Sequence, residues 1–160
     1  MSRAWIGLGA NLGAREATLR RALEWIQEPM GRVRAVSAWR ETEPVDCAPG
    51  QPLFLNGAAE VETELGPHAL LAALLDIERR LGRNRSSGER NLARTVDLDL
   101  LLYDDLILED ATLCLPHPRL HERLFVLEPL AEIAPELVHP VLKRTMRELT
   151  SRLLATTDNT

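Results

Sequence analysis

Lysine is almost absent from this 160-residue chain. Lys143 is the only one, so nearly all of its basic charge is arginine. Acidic residues still outnumber basic ones, 24 to 19, and the net charge of −5 argues against a general electrostatic binder of nucleic acid. There are two cysteines, Cys47 and Cys114, with no metal-type spacing; they read as free thiols in a reducing compartment. No run of 18 apolar residues occurs, and no apolar stretch of leader type opens the chain. The expectation is a cytoplasmic protein that does not engage a membrane. The phosphate-loop pattern G-x-x-x-x-G-K-[ST] is also missing. Gly7, Gly9 and Gly13 approach the dinucleotide fingerprint, but the last interval is one residue too long. Any nucleotide must therefore be held by side chains.

The composition is that of an ordinary globular domain, 45% hydrophobic and 27% charged. Its length suits one domain over 1–160. Ala4–Gly9 reads as a short apolar strand, and Gly7–Gly13 as a glycine-rich turn. Residues 14–27 have Leu19, Leu23 and Ile26 on one helical face. In 32–40, Val33, Ala35, Ser37 and Trp39 alternate as in a strand; 41–53 is a proline-rich loop. A third strand covers 54–63. Pro67 suits the first turn of a helix with a Leu70, Leu74, Ile77 and Leu81 stripe. Residues 84–93 are polar, and a fourth strand covers 97–103. Beyond Leu115, prolines at 116, 118, 129, 135 and 140 predict short helical pieces, with a last helix at 145–154. The order β-α-β-β-α-β predicts a ferredoxin-like α+β fold. Its sheet would be antiparallel and four-stranded, with both long helices on one face and a C-terminal extension.

The chemistry lies in three clusters. In Val96-Asp97-Leu98-Asp99-Leu100, strand alternation puts both carboxylates on one face, with Cα atoms roughly 6.5–7 Å apart. Val96, Leu98, Leu100 and Leu102 would fill the other face. A bare Asp-x-Asp is more often a solvated acidic face. It is also the donor set that Mg²⁺ takes alongside substrate phosphates. Arg79, Arg80, Arg83, Arg85, Arg90 and Arg94 lead into this strand. They read either as a solvated helix end or as guanidinium forks for phosphate oxygens. Pro116-His117-Pro118-Arg119 with Arg123 is either a polar surface turn or a third set of phosphate donors. His117, His121 and His139 fit no common zinc spacing. Acids for metal beside arginines for phosphate are the parts of a phosphoryl-transfer site.

Several segments occur in a fixed order: Gly9-Ala10-Asn11-Leu12-Gly13, Phe54-Leu55-Asn56, Gly82-Arg83, Arg94-Thr95-Val96-Asp97-Leu98-Asp99, Pro116-His117 and Pro129-Leu130-Ala131-Glu132-Ile133-Ala134-Pro135. Together they resemble the 6-hydroxymethyl-7,8-dihydropterin pyrophosphokinases of folate synthesis, over about residues 4–140. The resemblance implies pyrophosphoryl transfer from ATP to the pterin hydroxymethyl group, with attack at the β-phosphorus and release of AMP. It implies two Mg²⁺ ions on Asp97 and Asp99, and catalytic roles for Arg83, Arg90 and Arg94 beside them. Glu78, Arg83, Arg85, Arg94, His117 and Arg123 would hold ATP. Asn11, Thr42, Val45, Phe54, Asn56 and Phe125 would hold the pterin, the two rings sandwiching it. A monomer is expected.

The chain departs from the family in places. Arg90-Asn91-Leu92-Ala93-Arg94 stands where Arg-Trp-Gly-Pro-Arg is usual, Glu43 where proline is common, and Asp46 where glycine is common. A non-catalytic relative with an altered lid is the alternative reading. Residues 84–93 are expected to be a mobile loop that orders over bound nucleotide. With Asn91 in place of tryptophan, closure gains less apolar burial. Asn91→Trp is therefore expected to raise turnover or tighten pterin in the ternary complex. Hydrogen exchange on 84–93 checks this: strong protection without ligands, unchanged by them, would contradict it.

Overall fold

The computed structural model describes residues 1–10, 15–42, 54–83 and 96–158. Strand β1 (Ser2–Ala10) leads to helix α1 (Arg15–Ile26), then β2 (Arg32–Val36), β3 (Arg40–Thr42) and β4 (Phe54–Thr63). Helix α2 (Pro67–Arg83) and strand β5 (Val96–Tyr103) complete the β-α-β-β-α-β core. A small hairpin, β6 (Leu108–Glu109) with β7 (Cys114–Leu115), follows. After it come a 3₁₀ turn (Leu120–Glu122), α3 (Leu124–Ile133) and α4 (Met146–Asp158). The main sheet has the order β2-β4-β1-β5 with every pairing antiparallel, and β3 also pairs with β4. This is the expected ferredoxin-like arrangement.

Both long helices pack on one face of the sheet. The expected stripe of α2 is buried throughout, with Leu70 and Leu74 at 0% exposure, Ile77 at 2% and Leu81 at 8%. On α1, Leu19, Ala22 and Ile26 are buried. They meet Ala4, Ile6, Leu8 and Ala10 of β1 and Val96, Leu98 and Leu100 of β5. Each large side chain so buried contributes about 1.5–3 kcal/mol before conformational entropy is subtracted.

The C-terminal pieces build a second apolar cluster. Trp5, Leu101 and Leu102 pack there with Leu120, Leu127, Leu130, Met146 and Leu149. Helix α3 runs through Pro129 instead of breaking at it. The missing N–H costs one helical bond, and buried Leu127 and Leu130 on either side hold the helix in place. Thr145 starts α4 with a reciprocal cap: its hydroxyl accepts from the Glu148 N–H at 3.1 Å, and the Glu148 carboxylate accepts from the Thr145 N–H at 2.8 Å.

Three details differ from expectation. The strand expected over 32–40 is split into β2 and β3. Ser37 uses its hydroxyl to accept the Ala58 N–H at 2.9 Å, and the inward alternation of Val33, Ala35, Ser37 and Trp39 survives the break. Gly7 and Gly9 lie inside β1, which runs on to Ala10, and are not in a turn. In β5, the register against β1 shifts between Trp5 and Ile6. Leu101 is thus an extra residue, and Leu102 moves to the Trp5 side while Tyr103 joins the α1/α2 core. The mobile-loop expectation for 84–93 lies outside the described residues.

His139 sits in the connection before α4, 5% exposed. Its Nδ1 accepts from the N–H groups of Val141 (3.2 Å) and Leu142 (3.0 Å). Burial lowers its pKa below the ordinary 6.5, and the nearby His121 adds to the effect. Between that lowered value and 6.5, the unfolded chain takes up a proton that the folded chain refuses. Stability is therefore full above 6.5 and declines as pH falls toward the lowered value. The melting temperature should drop from pH 7 to pH 5, and His139→Asn should flatten that slope, because an amide oxygen can still accept both N–H groups. An unchanged slope in the variant would count against this assignment.

Candidate active site

The face of the sheet opposite α1 and α2 carries the candidate site. Gly9 is paired with Asp97 and Gly7 with Asp99 across β1 and β5. On the other side of β1, Gly9 is paired with Asn56 of β4. Directly opposed residues on antiparallel strands share a face. The centre of the sheet is therefore bare backbone between a carboxylate pair and an amide. The bareness is required at Gly9: a Cβ there would lie 2.7 Å from the Asn56 Oδ1.

A cavity of about 250 Å³ stands over this floor. Gly7, Gly9, Thr42, Phe54, Asn56, Asp97 and Asp99 line it from the sheet, and Arg123, Phe125 and Val126 from the start of α3. Phe54 and Phe125 are the only two phenylalanines in the chain, and both face this cavity. Asn56 is 8% exposed, and its Nδ2 donates to the Thr42 hydroxyl at 2.6 Å. Its carboxamide oxygen stays on the Gly9 side. The Arg123 guanidinium lies 5.7 Å from the Phe125 ring centroid, so the cation rests against the aromatic wall. A larger groove, about 650 Å³, runs past Trp25 and Arg80. It is shallow and shares no lining residue with the cavity over the aspartates.

The outer edge of β5 is tied down between the aspartates and just beyond them. The Leu98 N–H donates to the Glu78 carboxylate at 2.6 Å. The Leu101 carbonyl accepts from the His117 N–H at 2.9 Å, which docks the Pro116–Pro118 turn beside Asp99. His117 Nδ1 accepts the Arg119 N–H at 3.2 Å, so in the neutral ring the proton sits on Nε2. Burial holds its pKa below 6.5; Asp99 opposes that shift, and Arg123 and Arg119 reinforce it. Asp97 is half-buried and Asp99 exposed. Two carboxylates open to a cavity and to solvent fit a hard cation that takes its other ligands from water and phosphate.

Residues 5–135 match the family model of 7,8-dihydro-6-hydroxymethylpterin-pyrophosphokinase. The chain belongs to this family. Among pyrophosphokinase relatives, a 2-amino-4-hydroxy-6-hydroxymethyldihydropteridine pyrophosphokinase of Methylorubrum extorquens is 44% identical over 154 residues, covering 96% of this chain and 94% of its own. The Bacillus subtilis enzyme of the same name is 46% identical over 134 residues, covering 83% and 78%. A crystal structure of wild-type Plasmodium falciparum HPPK-DHPS with pterin and p-hydroxybenzoate superposes with a TM-score of 0.80 at 17% identity. It covers 99% of this chain and 44% of that one, so this chain spans less than half of that protein, and the likeness is one of fold.

Thr42, Phe54, Asn56, Phe125, Asp97, Asp99 and Arg123 line one cavity. His117 lies at its margin, and Glu78 reaches the β5 edge between the aspartates. Asn11, Val45, Arg85, Arg90 and Arg94 lie outside the described residues, as does the side chain of Arg83. Sequence reading missed the glycine floor. Its signal was present, since glycines two apart on a strand leave one face without side chains.

Proposed function

We propose that this pyrophosphokinase transfers the β,γ-pyrophosphoryl group of ATP to the hydroxymethyl oxygen of 6-hydroxymethyl-7,8-dihydropterin, with AMP as the leaving group. The observation that carries the reading is the shared cavity, in which an aromatic and amide-lined slot opens directly onto a carboxylate pair.

Phe54 and Phe125 hold the flat pterin by stacking, and Asn56 reads its edge with a carboxamide that both donates and accepts. The Thr42 hydroxyl fixes the orientation of that carboxamide. The bare glycine floor lets the ligand approach the sheet closely. Asp97 and Asp99 would hold Mg²⁺, with two ions expected, and the bound metal supplies charge neutralisation for the triphosphate. Arg123, which lines the cavity, and His117, which lies near Asp99 and Arg123, would serve as phosphate donors. Glu78, Arg83, Arg85, Arg90 and Arg94 complete the proposed nucleotide set on sequence grounds.

In the transfer, the hydroxymethyl oxygen forms a bond to the β-phosphorus. The bond from that phosphorus to the α,β-bridging oxygen breaks, its electron pair leaves on AMP, and the hydroxyl proton passes to solvent water. No residue is assigned as a general base. Positioning and charge compensation suffice for this class of reaction. Operation as a cytoplasmic monomer belongs to the same proposal; among the described residues, no helix is long and apolar enough to cross a membrane. Mass analysis of the pterin product tests the transfer. A product heavier by two phosphoryl groups is expected, and a gain of one phosphoryl group would overturn attack at the β-phosphorus.

A further inference from the structure

Phe125 and Glu132 are seven residues apart on α3, two helical turns and about 10.5 Å along the axis. The same side of the helix therefore carries both onto the sheet. Phe125 closes the cavity at one end. At the other end, the Glu132 carboxylate makes two contacts, one with the segment before β3 and one with the first residue of β3. One oxygen accepts the Ala38 N–H at 3.0 Å, and the other pairs with Arg40 Nη2 at 3.1 Å. Arg40 is paired in register with Asn56, and Thr42 with Phe54. The strand that Glu132 grips is thus the one whose next inward residue, Thr42, orients Asn56.

We infer that Glu132 is a positioning residue for the pterin slot, setting the gap between Phe125 and the Phe54–Asn56 wall. Leu127 and Leu130, both 0% exposed, anchor the middle of α3 in the second core. Beyond that anchor, the carboxylate clamp ties the C-terminal half of α3 to the start of β3. The clamp is also the guanidinium's principal partner: Arg40 Nη1 is buried with no hydrogen-bond partner among the described protein groups. Losing Glu132 would leave a partly buried cation unpaired and free to reorient beside Asn56. The stability cost is modest, since both side chains remain more than a third exposed. The cost in slot geometry is larger, because stacking falls off steeply with small displacements.

This inference rests on the reading of Phe54 and Phe125 as the pterin walls. The test is a double-mutant cycle on pterin affinity, read beside nucleotide affinity and melting temperature. Glu132→Ala should weaken pterin binding about tenfold, leave the nucleotide constant nearly unchanged, and raise the KM for pterin far more than it lowers kcat. Glu132→Gln keeps an acceptor for the Ala38 N–H and should recover part of the loss. In a Phe125→Ala background, Glu132→Ala should add little, because the ring that it positions is gone. Equal weakening of both ligands, or full additivity with Phe125→Ala, would overturn the positioning role. If Glu132→Ala does not fold, the Glu132→Gln and Arg40→Gln variants carry the same comparison. If Phe125→Ala alone leaves pterin affinity unchanged, the slot reading fails; if Phe125→Ala weakens pterin and Glu132→Ala does not, only this inference fails.

Discussion

Asp97→Ala and Asp99→Ala should each lower turnover by roughly 10³-fold or more, the scale of losing a principal electrostatic contact at a phosphoryl-transfer centre. The fold should persist, because neither carboxylate belongs to either apolar cluster. The two residues flank Leu98, whose amide is held by Glu78, and both sit opposite glycine. Among the described residues, no other carboxylate lines this cavity to take over the role of a lost one. Circular dichroism should be native-like and melting temperatures close to that of the parent chain. Near-normal turnover of either variant at ordinary Mg²⁺ would remove the metal assignment.

Phe125→Ala should raise the dissociation constant for pterin about 30-fold. Stacking adds about 0.5–1.5 kcal/mol beyond the burial of ring area, and a combined loss of about 2 kcal/mol corresponds to that factor. The nucleotide constant should move far less. Arg123 could lose some orientation with the ring gone, since its guanidinium rests 5.7 Å from the ring centroid, but its charge remains. Calorimetry with each ligand separates the two effects. Equal losses for both would mark Phe125 as a core residue and not as a wall of the slot.

Much of the site is legible in the sequence because it is local. Alternation along Val96–Leu100 gives the common face of the aspartates without knowledge of any partner strand. The helical stripes on α1 and α2 likewise follow from spacing alone, and all four expected positions on α2 are buried. What escaped is pairwise and distant. The bulge at Leu101 depends on how β5 registers with β1, which no local pattern encodes, so Leu102 was expected on the wrong face. Continuation of α3 through Pro129 depends on burial against Trp5 and α4, and a single proline is a poor guide where tertiary packing compensates. The Glu132 clamp joins groups 94 residues apart. Each partner alone is an ordinary charged or backbone group. The glycine floor lies between these cases, written in the sequence as Gly7-x-Gly9 but meaningful only once the segment is a strand.

Release of AMP from ATP tests the central claim most directly. In the presence of 6-hydroxymethyl-7,8-dihydropterin and Mg²⁺, AMP should appear in a one-to-one ratio with pterin consumed, and omission of the pterin or chelation of the metal should abolish it. Release of ADP in place of AMP, or tight binding of both substrates with no nucleotide product, would contradict the account.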